Sequence, residues 1–179
     1  MNKIFTQLLV LVTLTINAQS FELTPDGFKT NTGEDYLVLE YPELSQEQLY
    51  KETLIYLNSL YKSPKNVLSL VENEQIAING LSSAEIRRPY VDLYYNMVIR
   101  FKDGKIRVDA PIIEMKHLLN DLSYRRIFIV LDKKGFLSDN HGIWYKGKLA
   151  LPDVKAHLEK FFSNYIDNIK SAVKAADNW

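Results

Sequence analysis

The chain of 179 residues contains no cysteine, which excludes a disulfide framework, a thiol nucleophile and a lipid-bearing cysteine. The fold must therefore be held by core packing alone, whatever the redox state of its compartment. Histidine is scarce: His117, His141 and His157 are the whole supply, and no two stand at metal-ligand spacing. Glycine is sparse as well. "DKKG", Asp132 to Gly135, lacks the flanking glycines and the strand-to-helix context of a phosphate loop, so it reads as a turn. Serines are plentiful, but none sits in a G-x-S-x-G frame. Net charge is absent too, with 22 basic and 22 acidic side chains. A neutral chain has no overall electrostatic reason to bind nucleic acid or anionic lipid. No cofactor and no metal is expected.

Long apolar runs are also missing beyond the first segment, "MNKIFTQLLVLVTLTINAQS". Lys3 precedes an apolar stretch from about Ile4 to Ile16, and Ala18 supplies a small residue at a cleavable position. Residues 1–18 are expected to be a signal peptide, leaving Gln19 as the mature start. The stretch is too short and too interrupted by threonine to span a bilayer comfortably. The protein is thus expected to be exported, periplasmic or secreted, with no transmembrane segment after cleavage. Its partner would be a peptide, glycan or protein of the envelope, and not nucleic acid.

What is present is the composition of one globular domain, 46% hydrophobic and 25% charged. Residues 19–35, with Pro25 and two glycines, read as a flexible leader or an edge segment. Residues 36–179 form a single α+β domain. "YLVLEY" (Tyr36 to Tyr41) gives a strand that Pro42 ends. Ser45 with Gln48 three residues later is a capping box, opening a helix whose stripe is Leu49, Thr53, Tyr56, Leu57 and Leu60. Pro64 marks its exit. "VLSLV" and "IAING" flank the polar turn "ENEQ", and "YVDLYYNMVIRF" alternates over its whole length. Val91, Leu93, Tyr95, Met97, Ile99 and Phe101 share one face; Asp92, Tyr94, Asn96, Val98 and Arg100 share the other.

Asp103-Gly104 suits a two-residue type I′ turn, after which "KIRVDA" returns. That turn sets Lys102 opposite Lys105, Phe101 opposite Ile106, Arg100 opposite Arg107, Ile99 opposite Val108 and Val98 opposite Asp109. The apolar pairs fall together on one face, which supports the register. Two arginines then stand side by side, at a cost of up to about 1 kcal/mol. Either Asp109 or a neighbouring strand neutralises them, or they hold an anionic ligand with Tyr94 and Asn96 beside them.

Residues 114–151 are a variable segment: "RRIFIVLD" reads as a strand or the end of a short helix, and "IWYKG" pairs with it through a glycine-containing loop. From Pro152 a long helix carries Val154, Leu158, Phe161, Phe162, Tyr165, Ile166, Ile169 and Val173 on one broad stripe, which must bury itself on the sheet. His141, beside Asp139 and Asn140, reads as turn chemistry. Trp144, Trp179 and the eleven tyrosines, Tyr145 among them, raise a stacking platform for sugars or bases, with Tyr94 as its exposed candidate.

Two stretches resemble a known family. "YLVLEYPELSQEQLYKETLIYLNSLY", with Ser45, Leu49, Tyr50 and Leu57 at the family's helix positions, resembles the opening of a family of domains of unknown function with a TATA-binding-protein-like fold. "MVIRFKDGKIRV" resembles that family's long strand, turn and return strand, with Lys102, Asp103, Gly104 and Lys105 at the turn. The leader ending "NAQS" resembles those of Bacteroidetes-type bacteria. The resemblance runs from about Tyr36 to Ile113 and lapses over 114–151. It implies a curved antiparallel sheet of about five strands, with an N-terminal-half helix and the long C-terminal helix on one face. The family brings no established activity. The chain is therefore expected to be a non-enzymatic binding module without catalytic residues, touching its partner through Tyr94, Asn96, Arg100 and Arg107. The alternatives are a hydrolase of an envelope polymer, using a carboxylate pair, or a structural subunit of an envelope assembly.

Overall fold

The computed structural model describes residues 20–85, 90–118, 123–131 and 141–176. The expected signal peptide lies outside the described residues, as do the "DKKG" turn and Trp179.

The described chain opens with β1 (Phe21–Thr24) and β2 (Gly27–Thr30), an antiparallel hairpin turning at Pro25-Asp26. Gly27 has φ +100°, which suits a residue without Cβ. This corrects the reading of residues 19–35 as a flexible leader. Phe21, Leu23 and Phe28 are buried because they alternate with polar neighbours and so share one face. The hairpin forms a separate two-stranded sheet and is not an edge of the main one.

There follow β3 (Tyr36–Glu40), α1 (Gln46–Leu60), the single turn α2 (Pro64–Val67), β4 (Leu68–Val71), β5 (Gln75–Glu85), β6 (Tyr90–Lys102) and β7 (Lys105–Asp109). After these come β8 (Ile112–Leu118), β9 (Tyr124–Leu131), β10 (His141–Tyr145), β11 (Lys148–Leu149) and α3 (Pro152–Ala176). The capping box is formed: the Gln48 amide donates to Ser45 Oγ at 3.3 Å and the Ser45 amide to Gln48 Oε1 at 2.9 Å. The α1 face that is buried comprises Leu49, Tyr50, Thr53 and Leu57, while Tyr56 is half-buried and Leu60 exposed. Asp103 Oδ1 accepts from the Gln46 amide at 2.9 Å, tying the hairpin turn to the start of this helix.

The main sheet has nine strands, more than the five expected. Its order is β11-β10-β9-β8-β6-β5-β4, with β7 on β6 and β3 outside β7. All pairings are antiparallel except β9 with β10, which run parallel. The extra strands come from residues 114–151, where both "RRIFIV" and "IWY" are strands. The β6–β7 hairpin has the register read from its turn, from Lys102 opposite Lys105 to Ile99 opposite Val108. Asp109, expected opposite Val98, instead pairs across the other edge with Tyr36 of β3.

The reason lies at Ala110-Pro111. Strands β7 and β8 are one path along β6 with an extra residue inserted: Ile99 faces Val108, but Asn96 faces Ile112. This bulge shifts the alternation by one. The buried residues are Ile106 and Val108 before it, Met115 and His117 after it. Proline fits there because no ladder hydrogen bond from its nitrogen is needed.

Both long helices lie on one face of the sheet. The α3 stripe is buried from Val154 to Val173, with Phe161 only partly so. Phe162, without solvent exposure, meets Phe28 at 5.0 Å and Tyr95 at 5.6 Å between ring centroids. Removing such a ring costs about 3–5 kcal/mol. The β1–β2 hairpin is latched to α3 where the Leu23 amide donates to Glu159 Oε1 at 2.8 Å. Lys155 Nζ joins Glu159 at 2.6 Å and Glu22 at 3.2 Å at the same place. With helices and hairpin on one side, the other face of β5, β6 and β8 stays open.

Candidate functional site

Strict alternation along β6 delivers Asp92, Tyr94, Asn96, Val98 and Arg100 to the open face. Arg100 and Arg107 are opposite each other, and both are bonded to Asp109: Arg100 through a guanidinium nitrogen, Arg107 through Nε at 2.7 Å. The Arg107 guanidinium also lies over the Tyr36 ring at 4.0 Å. Its pKa is raised above the ordinary arginine value, first by the hydrogen bond to Asp109. The local pair is thus bridged by the chain's own carboxylate, as one of the two sequence readings required. Both guanidinium groups remain about half exposed.

The middle of the face differs in character. Asn96 Nδ2 donates to Asn79 Oδ1 at 2.8 Å across β6 and β5. Beside this amide pair lie Leu81, Tyr94 and Ile112, which are 57%, 37% and 73% exposed. Leu81 opposes Tyr94, and Ile112 opposes Asn96, so the three apolar groups border one shallow depression of about 380 Å³. Charges rim it in pairs. Glu114 meets Arg126 at 2.7 Å and Lys116 at 3.5 Å, and Lys116 Nζ lies 4.8 Å from the Tyr94 ring centre. Asp92 accepts from Ser83 further along the same strands.

The four residues expected from the sequence therefore share one face, in two groups: Tyr94 and Asn96 at the depression, Arg100 and Arg107 beyond it. Leu81 and Ile112 were not foreseen. The first lies past the predicted end of its strand at Gly80, and the second lies past the bulge that reverses the alternation. A strand pattern continued through "GLSSAE" would have found Leu81.

A cleft of about 630 Å³ opens where the bulge meets the β1–β2 turn, with Asp26, Lys29, Asp35, Arg107 and Asp109 among its lining residues. Elsewhere His117 and His141, distant in sequence, stack with ring centroids 6.1 Å apart and planes 8° off parallel. Burial first, then His141 and Arg125, lowers the His117 pKa. Among the described residues no group of three or more histidine, aspartate and glutamate side chains is placed to hold a metal ion. Nor is any described helix long and apolar enough to cross a membrane. Trp144, raised as a stacking residue, is buried.

Residues 36–116 match the family described as a domain of unknown function (DUF4468) with TBP-like fold. Two solved structures share the architecture. One is a TBP-like protein from Parabacteroides distasonis ATCC 8503, with TM-score 0.55, 15% identity, 75% of this chain covered and 90% of that one. The other is a DUF4468 family protein from Bacteroides ovatus ATCC 8483, with TM-score 0.53, 16% identity and coverages of 77% and 84%. No curated protein matches the chain.

Proposed function

Given that residues 36–116 match the DUF4468 family with its TBP-like fold, we propose that the protein is an exported, non-enzymatic module that docks a protein partner on the open face of its sheet. One observation carries this reading: the Leu81, Tyr94 and Ile112 side chains form an exposed apolar strip amid charges that are already paired. A protein interface has this layout, with a desolvated apolar centre and a polar rim. The depression is shallow, which suits another protein's surface better than a small substrate. Tyr94 and the Asn96–Asn79 amide pair would supply the directional contacts, and Arg100 and Arg107 a charged margin that pairs with acidic groups of the partner.

Export rests on the Lys3 and Ile4–Ile16 leader. The balanced charge and the paired cations of the open face speak against nucleic acid, despite the fold's name. The same apolar strip is what a subunit of a larger envelope assembly would present.

The test places a photocrosslinking side chain at position 81 or 112 and, as a control, at exposed Lys51 on α1. Irradiation in an envelope fraction should give a discrete adduct from the two sheet positions and none from Lys51. Adducts from Lys51 alone would place the contact surface on the helical side and defeat the proposal. A stoichiometric binary adduct indicates a module, and a ladder of high-mass adducts indicates an assembly subunit.

A further inference from the structure

The helical side carries a second recess, made at the junction of α1, α3 and the β5–β6 edge. Its volume is about 340 Å³, near the lower limit of small-molecule sites. Tyr56 and Tyr61 enter from α1 and its C-cap, Tyr95 from β6, and Asn164, Tyr165 and Asn168 from α3. None of the lining residues carries a formal charge, in a chain where a quarter of the residues do.

At its base is a built hydroxyl network. Tyr61 Oη lies 2.7 Å from Tyr165 Oη and 3.0 Å from Tyr95 Oη. Three hydroxyls bring three protons, and two hydrogen bonds join them. One proton and several lone pairs therefore remain for groups outside the triad. Tyr56 and Asn168 line the same recess beside this triad. Gly80 is part of the design: it is the cross-strand partner of Tyr95, and a Cβ there would overlap the Tyr95 ring and hydroxyl. The missing side chain is what lets Tyr95 lie across the strand.

Uncharged hydroxyl and amide groups that both donate and accept, set among aromatic rings, match one ligand chemistry well. A neutral sugar offers vicinal hydroxyls that exchange hydrogen bonds with such groups, and C–H faces that pack on rings. A charged ligand would find no counter-ion here. We infer that the recess formed by Tyr56, Tyr61, Tyr95, Tyr165, Asn164 and Asn168 is a binding site for a neutral saccharide, a single ring or the end of a short glycan. It lies around the β5 edge from the open face, sharing only Leu81 and Tyr95 with the depression there, and does not depend on the protein-docking role.

The test is saturation-transfer NMR and calorimetry on the full mature chain with glucose, galactose, mannose, N-acetylglucosamine and their disaccharides, glucuronate serving as the charged control. At least one neutral sugar should bind saturably. The double variant Asn164→Ala, Asn168→Ala alters two exposed helix positions and should weaken binding about tenfold or more, since it removes two amide contacts. Tyr61→Phe should weaken it too, while Ile112→Ser on the open face should leave it unchanged. Absence of saturable binding by every neutral sugar up to about 50 mM overturns the inference. So does binding indifferent to the Asn164, Asn168 and Tyr61 substitutions, or glucuronate binding as tightly as the neutral sugars. Loss of sugar binding with Ile112→Ser would move the sugar to the open face and equally reject this recess.

Discussion

Arg100 and Arg107 stand directly opposite each other on adjacent strands, and a single carboxylate, Asp109, is bonded to both. The repulsion between the two arginines is offset locally, within one hairpin and its bulge. Asp109→Asn should therefore destabilise the protein by about 1 kcal/mol, a modest figure because the groups are half exposed. Arg100→Gln should cost less, because it removes one of the two like charges along with its bond. Urea midpoints at low and high salt check this: the Asp109→Asn loss should shrink as salt screens the exposed pair. Adding Arg107→Gln to Asp109→Asn should recover part of the loss.

Gly80 and Tyr95 give a sharper test. The ring under Gly80 is held by Phe161, Phe162 and Tyr165, with ring centroids 5.5, 5.6 and 6.3 Å away, so it has no easy retreat. Gly80→Ala should cost about 1–3 kcal/mol by overpacking, although alanine is no worse than glycine for an ordinary strand. The urea midpoint should fall at unchanged slope. An unaltered midpoint would mean that Tyr95 does not cross the strand at that point.

The stacked histidines predict a pH dependence. His117 has its pKa lowered in the fold by burial, by His141 and by Arg125. The folded state therefore disfavours the charged form. Above the unfolded value of about 6.5 the residue is neutral in both states and imposes no penalty. As pH falls below that value the unfolded chain gains the proton first, and stability declines until the lowered folded pKa is reached. Melting temperature should thus drop as pH falls below about 6.5, and His117→Gln should flatten that part of the curve. An identical slope in the variant would contradict the assignment.

Much of this architecture is legible in the amino-acid order, for reasons that are local. Asp103-Gly104 admits one turn, and that turn dictates every partner from Lys102 with Lys105 to Ile99 with Val108. Ser45 and Gln48 cap α1 wherever the rest of the chain goes, and the α3 stripe has a period only a helix can bury. What escaped reading depends on distant packing. "FELT" and "GFKT" alternate, yet their burial exists only because α3 arrives from over a hundred residues away. Ile112 reached the open face through the Ala110-Pro111 bulge, which no strand period announces. His117 and His141 meet across β9, a relation set by a parallel pairing that short-range patterns do not encode. The tyrosine recess likewise needs three elements to converge before its chemistry can be seen.

The open face remains the centre of the functional account, and one comparison tests it most directly. The chain from Gln19 onward is immobilised on beads as wild type, as the double variant Leu81→Ser, Ile112→Ser, and as Leu70→Ser. Leu70 is exposed on edge strand β4, away from the depression. All three should melt within a few degrees of one another, because exposed positions contribute little to stability. After incubation with an envelope extract, wild type and Leu70→Ser should each hold the same single partner at one-to-one stoichiometry, and the double variant should lose it. If the double variant retains that partner undiminished, the sheet's open face is not where this protein does its work.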